Sequence, residues 1–353
     1  MKSFLPQNSY FVKIGKFIFI SGRAKILNYS YKYRSRLEGD LLVKEKFDKT
    51  ILLVYDLKVS PPTYGDAIDF FFLGRVLSAG GFKIQAAIID DEVRSDWDVF
   101  DVTTSEKLKL ELIQVANFVL NNAKIEKVTF NQALKLATNQ SVYIPFFNQF
   151  ATRKLGLYKE YCALSEYIGS EYQEQFNRER YLFMGYPNCS INESYIAWHI
   201  RADAKWTQWE NEGESEIFKN YELIRKQTNH KLVIISSESG CKKIRNYFKN
   251  KGIVIAVSKD FGKSFLDDMA LVLGSKVYIQ MGWGGMFVVA GYSAVPYGIC
   301  VDKIQETWEL QKFSIKKQAK LKPWASKYQK IWKKSEFREQ TLQEVFSEIK
   351  NYS

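Results

Sequence analysis

The residues best suited to chemistry follow an apolar segment, in the sequence Trp198-His199-Ile200-Arg201-Ala202-Asp203. Residues 194–199 are predicted to form a strand, so the side chains of His199 and Arg201, two positions apart, are expected on the same face. The planar guanidinium of Arg201 offers paired donors that match phosphate oxygens, and Asp203 could hold it in place. The chain has only two histidines, which makes one beside an arginine unusual. The pattern predicts a phosphate-binding site, with an ordinary Arg201–Asp203 ion pair as the alternative.

Two further segments end predicted strands or begin helices. The run Ser236-Ser237-Glu238-Ser239-Gly240 opens a helix, where hydroxyls and unpaired backbone N–H groups suit a phosphate or a ribose. Ordinary N-capping, with Ser239 as one capping residue, is the alternative. Asp267 and Asp268 begin another helix, where the helix dipole alone would favour carboxylates. We count Ser236, Ser237, Glu238 and Asp268 as candidate ligand-binding residues.

A glycine-rich segment, Gly282-Trp283-Gly284-Gly285-Met286, precedes a predicted buried helix. Glycines allow close approach of the backbone to a ligand, and the amides of Gly284, Gly285 and Met286 are predicted to face phosphate. The segment is neither GxGxxG in an N-terminal βαβ unit nor GxxxxGK[ST]. A dinucleotide-dependent dehydrogenase and a P-loop enzyme are therefore disfavoured.

A candidate proton acceptor is expected at the carboxyl end of the first predicted strand. Asp66 is the first candidate and Asp56 the second, because either could deprotonate a hydroxyl group there. The alternative for Asp66 is a helix N-cap. Asp96-Trp97-Asp98 is the only weak sign of a metal site, and the four cysteines form no CxxC pair, so we expect no bound metal.

The hydrophobic pattern predicts alternating strands and helices, and hence an α/β fold with two doubly wound, Rossmann-like domains that face a central cleft. Ile51–Tyr55, Ala67–Ala79 and Lys83–Ile89 read as a βαβ unit, followed by a helix over 105–121 and a helical, aromatic stretch over 125–190. The expected domains are 1–190, with an irregular arm or hairpin over 1–50; 191–310; and C-terminal helices over 311–353, packed on the first domain. In the second domain, strands are predicted at 194–199, 232–236, 253–257, 277–280 and 297–301, and helices at 215–227, 241–250, 264–273 and 286–293.

The net charge of +12 favours an anionic partner such as a phosphate ligand, a lipid surface or a nucleic acid. Basic residues concentrate in Lys312–Arg338, with Trp324, Tyr328 and Trp332 among them. This segment predicts either a solvated helical face or a membrane-surface patch. No signal-peptide core precedes the fold, and Val277–Val301 is uncharged but rich in glycine, so we expect a cytoplasmic protein, peripheral to the membrane if that patch binds it.

The segment Ile196–Asp203 resembles the H-x-R motif of the fucosyltransferase superfamily, and the order of later elements over about 190–300 is similar. The resemblance implies a GT-B fold, a GDP-sugar donor with GDP-fucose as the usual one, no cofactor, and inverting transfer without a metal. In that family the arginine, here Arg201, binds the β-phosphate, and the histidine, here His199, lies beside the nucleotide. We therefore expect a glycosyltransferase acting on a glycan or a lipid-linked glycan. The alternatives are a nucleic-acid-binding protein that uses the basic C-terminal segment, and a non-catalytic nucleotide-sugar or glycan-binding module.

Overall fold

The structure is a computed structural model, and it contains two compact units, Met1–Gln175 and Phe176–Ser353. The predicted boundary at 190 falls in a stretch that the structure does not describe, so it stays a prediction. The described residues are 22–27, 50–60, 63–90, 102–121, 123–139, 142–146, 168, 191–202, 208–281, 286–291, 293, 295, 297–301, 329–333, 342–344 and 346–347.

The first unit is built on a four-stranded parallel sheet in the order β3-β2-β1-β4. Apart from a first helix that precedes the sheet, its helices lie between consecutive strands in the chain, as the crossovers of a parallel sheet require. In chain order the elements are α1 (22–27), β1 (Thr50–Asp56), α2 (Tyr64–Ala79), β2 (Lys83–Ile89), α3 (Val102–Leu120), β3 (Lys124–Val128), α4 (Phe130–Asn139) and β4 (Val142–Pro145).

Strand β1 is buried along nearly its whole length, as its continuous apolar sequence predicts for a central strand covered on both faces. Helix α2 packs closely against it at Gly74. A Cβ at that position would lie 2.4 Å from Leu53 Cδ1 and 2.8 Å from Leu120 Cδ2, so glycine lets α2 approach both β1 and α3. This close packing fixes the helix that carries Asp66.

The second unit is built on a six-stranded sheet in the order β10-β9-β8-β5-β6-β7, and all its pairings are parallel. Strand β5, which carries His199, lies in the interior between β6 and β8. The elements are β5 (Tyr195–Ile200), α5 (Gln208–Gln227), β6 (Lys231–Ile235), α6 (Glu238–Lys249), β7 (Ala256–Val257), α7 (Phe265–Leu273), β8 (Val277–Met281), α8 (Met286–Gly291), β9 (Tyr297–Val301) and β10 (Gln329–Lys333).

The two faces of β5 have different roles. Ile196, Trp198 and Ile200 face an apolar cluster formed with residues of α5 and α6, and Leu342 and Phe346 from the C-terminal region join the same cluster. The alternate residues of β5 therefore lie on the other face. There the Tyr195 hydroxyl donates to the carbonyl of Leu271 at 2.7 Å and ties α7 to the sheet. His199 belongs to this second face, at the carboxyl end of the strand.

The two parallel sheets confirm the predicted α/β class, and three local predictions are corrected. The stretch 125–190 was expected to be helical, but it contains most of β3 and all of β4. Residues 329–333, expected in a helix, form β10 in the second sheet. In the N-terminal arm, where a hairpin was expected, residues 22–27 are helical. β3 and β10 are edge strands rich in lysine, as exposed edges often are. They were not predicted because the prediction relied on continuous apolar runs.

β7 spans only two residues instead of the predicted 253–257. The C-terminal helices over 311–353 were expected to pack on the first domain, but Leu342 and Phe346 pack in an apolar cluster of the second unit. Residues 311–328, predicted to be helical, lie outside the described residues. Within the described part of the chain, no helix has the length and apolar character needed to cross a bilayer.

Candidate functional site

His199 lies where the sequence predicted it, at the carboxyl end of an interior strand. Its register partners are Ile235 on β6 and Gln280 on β8, and its side chain is 8% exposed. Burial lowers the pKa of His199 to about 3, and the charge of Arg201 acts in the same direction. The imidazole is therefore neutral at physiological pH, and Arg201 carries the positive charge. Within the described structure, the buried Nδ1 of His199 has no hydrogen-bond partner.

The turn after β6 places a second polar group next to the first turn of α6. Ser236 is 4% exposed, and its Oγ has no hydrogen-bond partner in the part of the chain that is described. A Cβ on Gly240 would lie 2.3 Å from this Oγ, so only glycine leaves room for the hydroxyl. Ser237, not Ser239, is the N-cap, because its Oγ accepts from the Gly240 N–H at 3.0 Å. Glu238 begins the helix and is exposed.

Asp268 supplies a third buried polar group, from the first turn of α7. Its Oδ2 lies 2.7 Å from Lys259 Nζ, whereas its buried Oδ1 has no partner among the described residues. Burial raises the pKa of Asp268, and the charge of Lys259 opposes that rise. The neighbouring Asp267 instead caps the helix, because its carboxylate accepts from the Ser264 N–H at 2.8 Å in a capping box. The helix-dipole alternative therefore suits Asp267 better than Asp268.

Ser258 and Cys241 link these groups. The Ser258 hydroxyl donates to the carbonyl of Ser236 at 3.4 Å, and the Cys241 sulfur lies 3.7 Å from Ser258 Oγ. Burial raises the pKa of the Cys241 thiol, and the charge of Asp268 adds to that rise. Because Lys259 follows Ser258 and pairs with Asp268, the turn after β6 and the start of α7 are neighbours.

Gln280 is a polar residue of this site that sequence reasoning missed. It is fully buried, it pairs in register with His199, and its Oε1 accepts a hydrogen bond from the Tyr278 hydroxyl. The rings of His199 and Tyr278 are 6.5 Å apart between centroids. A glutamine inside an otherwise apolar strand was the signal that could have identified it, since a buried amide needs partners.

Several predicted site residues stay untested. Asp203, Gly284 and Gly285 lie outside the described residues, as do Asp96 and Asp98. Met286 is the first residue of α8 and is buried. In the described part of the chain, no group of three histidine, cysteine, aspartate or glutamate side chains is placed to hold a metal ion.

In the first unit, Asp56 forms a buried ion pair. It is 1% exposed, and Arg23 Nε lies 2.6 Å from Oδ2 and Arg23 Nη2 lies 3.2 Å from Oδ1. The Lys58 N–H donates to Oδ1 at 2.9 Å, and the Arg23 guanidinium lies 4.3 Å from the Phe130 ring centroid. The arginine comes from α1, which the sequence did not reveal. The arrangement ties α1 to the end of β1.

Asp66 is the third residue of α2, and Thr63 occupies the N-cap position. The predicted alternative, that Asp66 is itself the N-cap, is therefore wrong. The Thr63 hydroxyl donates to Asp66 Oδ2, so the carboxylate is held over the start of the helix. Next to it, the Tyr64 hydroxyl donates to Glu111 on α3. The structure thus gives Asp66 a polar, half-buried setting and Asp56 a closed one.

No protein-family model and no curated protein sequence matches this chain. Among solved structures, a glycosyl transferase family 9 protein from Veillonella parvula DSM 2008 is 12% identical, with a TM-score of 0.40 over 87% of this chain and 98% of that one. The glycotransferase of kitacinnamycin is 10% identical, with a TM-score of 0.35 over 85% and 90%. The lipopolysaccharide outer core galactosyltransferase WaaB is 10% identical, with a TM-score of 0.33 over 85% and 90%. Scores this low do not establish a shared fold, and they carry no argument about the activity of this chain.

Proposed function

We propose that the chain is a GT-B glycosyltransferase that transfers a sugar from a nucleotide-sugar donor to a glycan or a lipid-linked glycan. The observation that carries this proposal is a set of three buried atoms without partners among the described residues: His199 Nδ1, Ser236 Oγ and Asp268 Oδ1. Buried polar groups are nearly always paired in folded proteins. These three lie around the carboxyl edge of one parallel sheet, which is where open α/β sheets bind ligands.

The chemistry of these groups suits a nucleoside diphosphate. Arg201 supplies a fixed positive charge for a phosphate, whereas the neutral His199 can hydrogen-bond to a ribose or a phosphate without adding charge. Ser236 offers a hydroxyl and Asp268 an acceptor. A preference for GDP and a transfer of fucose rest on the H-x-R resemblance.

We assign Asp66 the role of the general base that deprotonates the acceptor hydroxyl. Asp56 is the weaker candidate, because a carboxylate already bound to Arg23 is a poor proton acceptor. In an inverting reaction the acceptor oxygen attacks the anomeric carbon as the bond to the diphosphate breaks. The acceptor proton passes to Asp66, and Arg201 stabilises the negative charge on the leaving diphosphate.

The proposal includes metal independence. If Arg201 and the amides of Gly284, Gly285 and Met286 neutralise the leaving group, EDTA should leave turnover intact. Complete loss on chelation that Mn²⁺ restores would instead point to Asp96 and Asp98.

We also propose that the protein works in the cytoplasm at an anionic membrane surface, where lysines and aromatic rings of Lys312–Arg338 would meet lipid headgroups. Replacing Lys327, Lys330, Lys333 and Lys334 with Glu should abolish binding to anionic liposomes at low salt. The matched control replaces four exposed lysines of the α6 region, Lys242, Lys243, Lys249 and Lys251. Wild-type protein that ignores anionic liposomes would rule out this location.

The first experiment is a thermal-shift screen with GDP, UDP, ADP, CMP and dTDP. A ligand at a hundredfold excess over its Kd stabilises by about 2.7 kcal/mol, which is readily detected. The shift should be lost in His199→Gln and kept in His230→Gln, because His230 is exposed on the loop before β6. Equal shifts in the two variants would contradict the assigned site.

Hydrolysis of the corresponding sugar nucleotide separates an enzyme from a binding module. Release of the nucleoside diphosphate should be lost in Arg201→Ala. Binding without any turnover would favour a non-catalytic module, and binding of nucleic acid alone would favour the remaining alternative, for which the described residues offer no specific support.

A further inference from the structure

Lys259 lies on a short 3₁₀ turn, Ser258–Asp260, which follows β7 directly. The turn is closed by a hydrogen bond from the Phe261 N–H to the Ser258 carbonyl, at 3.0 Å. The Ser258 side chain is buried, and its hydroxyl ties the turn to the end of β6 by donating to the Ser236 carbonyl at 3.4 Å. The backbone at Lys259 is therefore held next to the candidate site.

The side chain of Lys259 reaches the first turn of α7. Its Nζ lies 2.7 Å from Asp268 Oδ2, and the two side chains are 14% and 9% exposed. The other carboxylate oxygen, Oδ1, is buried and has no partner among the described residues. A buried ion pair offsets the cost of desolvation only when its remaining lone pairs are also hydrogen-bonded. The described residues satisfy one oxygen of this carboxylate and leave that requirement unmet at the other.

Lys259 also supplies the charge that opposes protonation of Asp268. Burial raises the pKa of Asp268, the charge of Lys259 opposes that rise, and the charge of Asp267 on the same helix adds to it. On α6, Cys241 is a neutral neighbour, because burial raises the pKa of its thiol as well. Among these neighbours Lys259 is the cation, so its removal would favour the protonated carboxyl.

We propose that Lys259 is a positioning residue, which binds Oδ2 of Asp268 and so presents Oδ1 of an ionised carboxylate to an N–H or O–H group of the bound nucleotide. The inference rests on the proposed function, which places a nucleotide at this edge of the sheet. An ionised carboxylate can only accept hydrogen bonds, so the ligand group that it meets is a donor and not a phosphate oxygen. The ammonium is neutralised by Asp268, and the phosphate charge is left to Arg201.

The test compares variants of the full chain by calorimetric titration with GDP between pH 5.5 and 8.5. Lys259→Met and Lys259→Gln both remove the charge, whereas Lys259→Arg keeps it. Asp268→Asn removes the ionisable group, and a double variant combines Lys259→Met with Asp268→Asn, so that neither charge remains. Lys263→Met is the matched control, because Lys263 is an exposed lysine of the loop before α7.

We expect the GDP affinity of Lys259→Met and Lys259→Gln to decline from a higher pH than that of wild type, because a carboxyl without its cation binds a proton more readily. Below the pKa of the carboxyl, each pH unit lowers the ionised fraction, and with it the affinity, about tenfold. Lys259→Arg and Lys263→Met should follow the wild-type profile. Asp268→Asn should weaken binding about tenfold, and the double variant should bind as Asp268→Asn does.

Three results would overturn the inference. The first is a wild-type profile in both Lys259→Met and Lys259→Gln. The second is a loss of affinity that is equal at every pH, since damage to the turn alone would produce it. The third is a further loss in the double variant relative to Asp268→Asn, because Lys259 would then contact the nucleotide itself.

A measurement without nucleotide separates this inference from the proposed function. The ¹³C signal of the Asp268 carboxyl, titrated by NMR, should report a higher pKa in Lys259→Met than in wild type or Lys259→Arg. An Asp268 pKa that is the same in all three proteins would contradict the role of Lys259. If the wild type binds no GDP, the proposed function is at fault, and the carboxyl titration still decides whether Lys259 holds Asp268.

Discussion

Buried polar groups at the carboxyl ends of the two sheets differ in whether their atoms have hydrogen-bond partners. In the first unit, Asp56 is 1% exposed, and both of its oxygens receive hydrogen bonds from Arg23 or from the Lys58 N–H. In the second unit, His199 and Ser236 are similarly buried, yet each keeps an atom without a partner among the described residues. The same edge of a parallel sheet thus carries a closed polar cluster in one unit and an open one in the other.

Such a difference is expected between polar groups that stabilise a fold and polar groups that bind a ligand. A buried ion pair whose hydrogen bonds are all made stabilises one conformation. Removing one residue of the pair is strongly destabilising, because the remaining charge is then buried without a partner. A buried polar atom without a partner costs stability, and it is retained where a ligand completes its hydrogen bonds. Substitutions at the polar cluster of the first unit should therefore lower stability and leave ligand affinity unchanged, whereas substitutions at the polar cluster of the second unit should mainly lower ligand affinity.

The largest effect is expected from breaking the closed cluster. Arg23→Ala leaves the Asp56 carboxylate buried without its partner, which should lower the free energy of unfolding by about 3–5 kcal/mol. Urea unfolding measures this loss, and GDP affinity of the protein that remains folded should be unchanged. The control Arg225→Ala removes an exposed arginine and should cost little. Equal stabilities of Arg23→Ala and Arg225→Ala would contradict a structural role for the Arg23–Asp56 pair.

Substitutions at the polar cluster of the second unit should lower nucleotide affinity. Arg201→Lys keeps the charge but loses the planar fork, so nucleotide binding should weaken by about ten- to a hundredfold, equivalent to about 1.5–3 kcal/mol. Calorimetric titration with the nucleotide that gives the largest thermal shift measures it. Arg245→Lys, an exposed arginine of α6 paired with Asp260, is the control. An unchanged affinity in folded Arg201→Lys would remove Arg201 from the site.

The buried histidine predicts how stability depends on pH. The pKa of His199 is lowered to about 3 in the folded state from an ordinary 6.5, so between these values the unfolded chain binds the extra proton. The lowered pKa costs no stability above pH 6.5 and destabilises the folded state increasingly as the pH falls toward 3, with a slope of about 1.4 kcal/mol per pH unit. In unfolding experiments between pH 7 and pH 4, the wild type should therefore lose stability relative to His199→Gln, because glutamine does not titrate. The same slope in wild type and His199→Gln would contradict the burial of His199.

The smallest effect distinguishes neighbouring serines. Ser236→Ala removes a buried hydroxyl without a partner among the described residues, so the free energy of unfolding should stay the same or rise while nucleotide affinity falls several-fold. Ser237→Ala removes the N-cap of α6 and should cost about 1 kcal/mol of stability. Thermal unfolding and nucleotide titration of the two variants check this. A Ser236→Ala variant that is destabilised but keeps normal nucleotide affinity would show that the Ser236 hydroxyl has a structural role, as Asp56 has.

The edge strands show where prediction from sequence fails. β1, β2 and β8 were predicted within one or two residues because a strand covered on both faces is a continuous apolar run. β3 (KIEKV) and β10 (QKIWK) carry charges at the sheet edges and were missed. An edge strand forms because it pairs with a neighbouring strand, and its own sequence gives no sign of which strand that is.

The sequence alone determined the α/β class and the placement of His199 at the carboxyl end of a strand, because both follow from local periodicity. It also singled out Ser236 by its position after a strand and Asp268 by its position at the start of a helix. The tertiary structure alone decided that Asp56 is paired with Arg23, that Thr63 is the N-cap of α2 and that Gln280 lies beside His199. Burial and hydrogen-bond partners arise from contacts between distant parts of the chain, and these contacts show that Asp56 belongs to a structural ion pair.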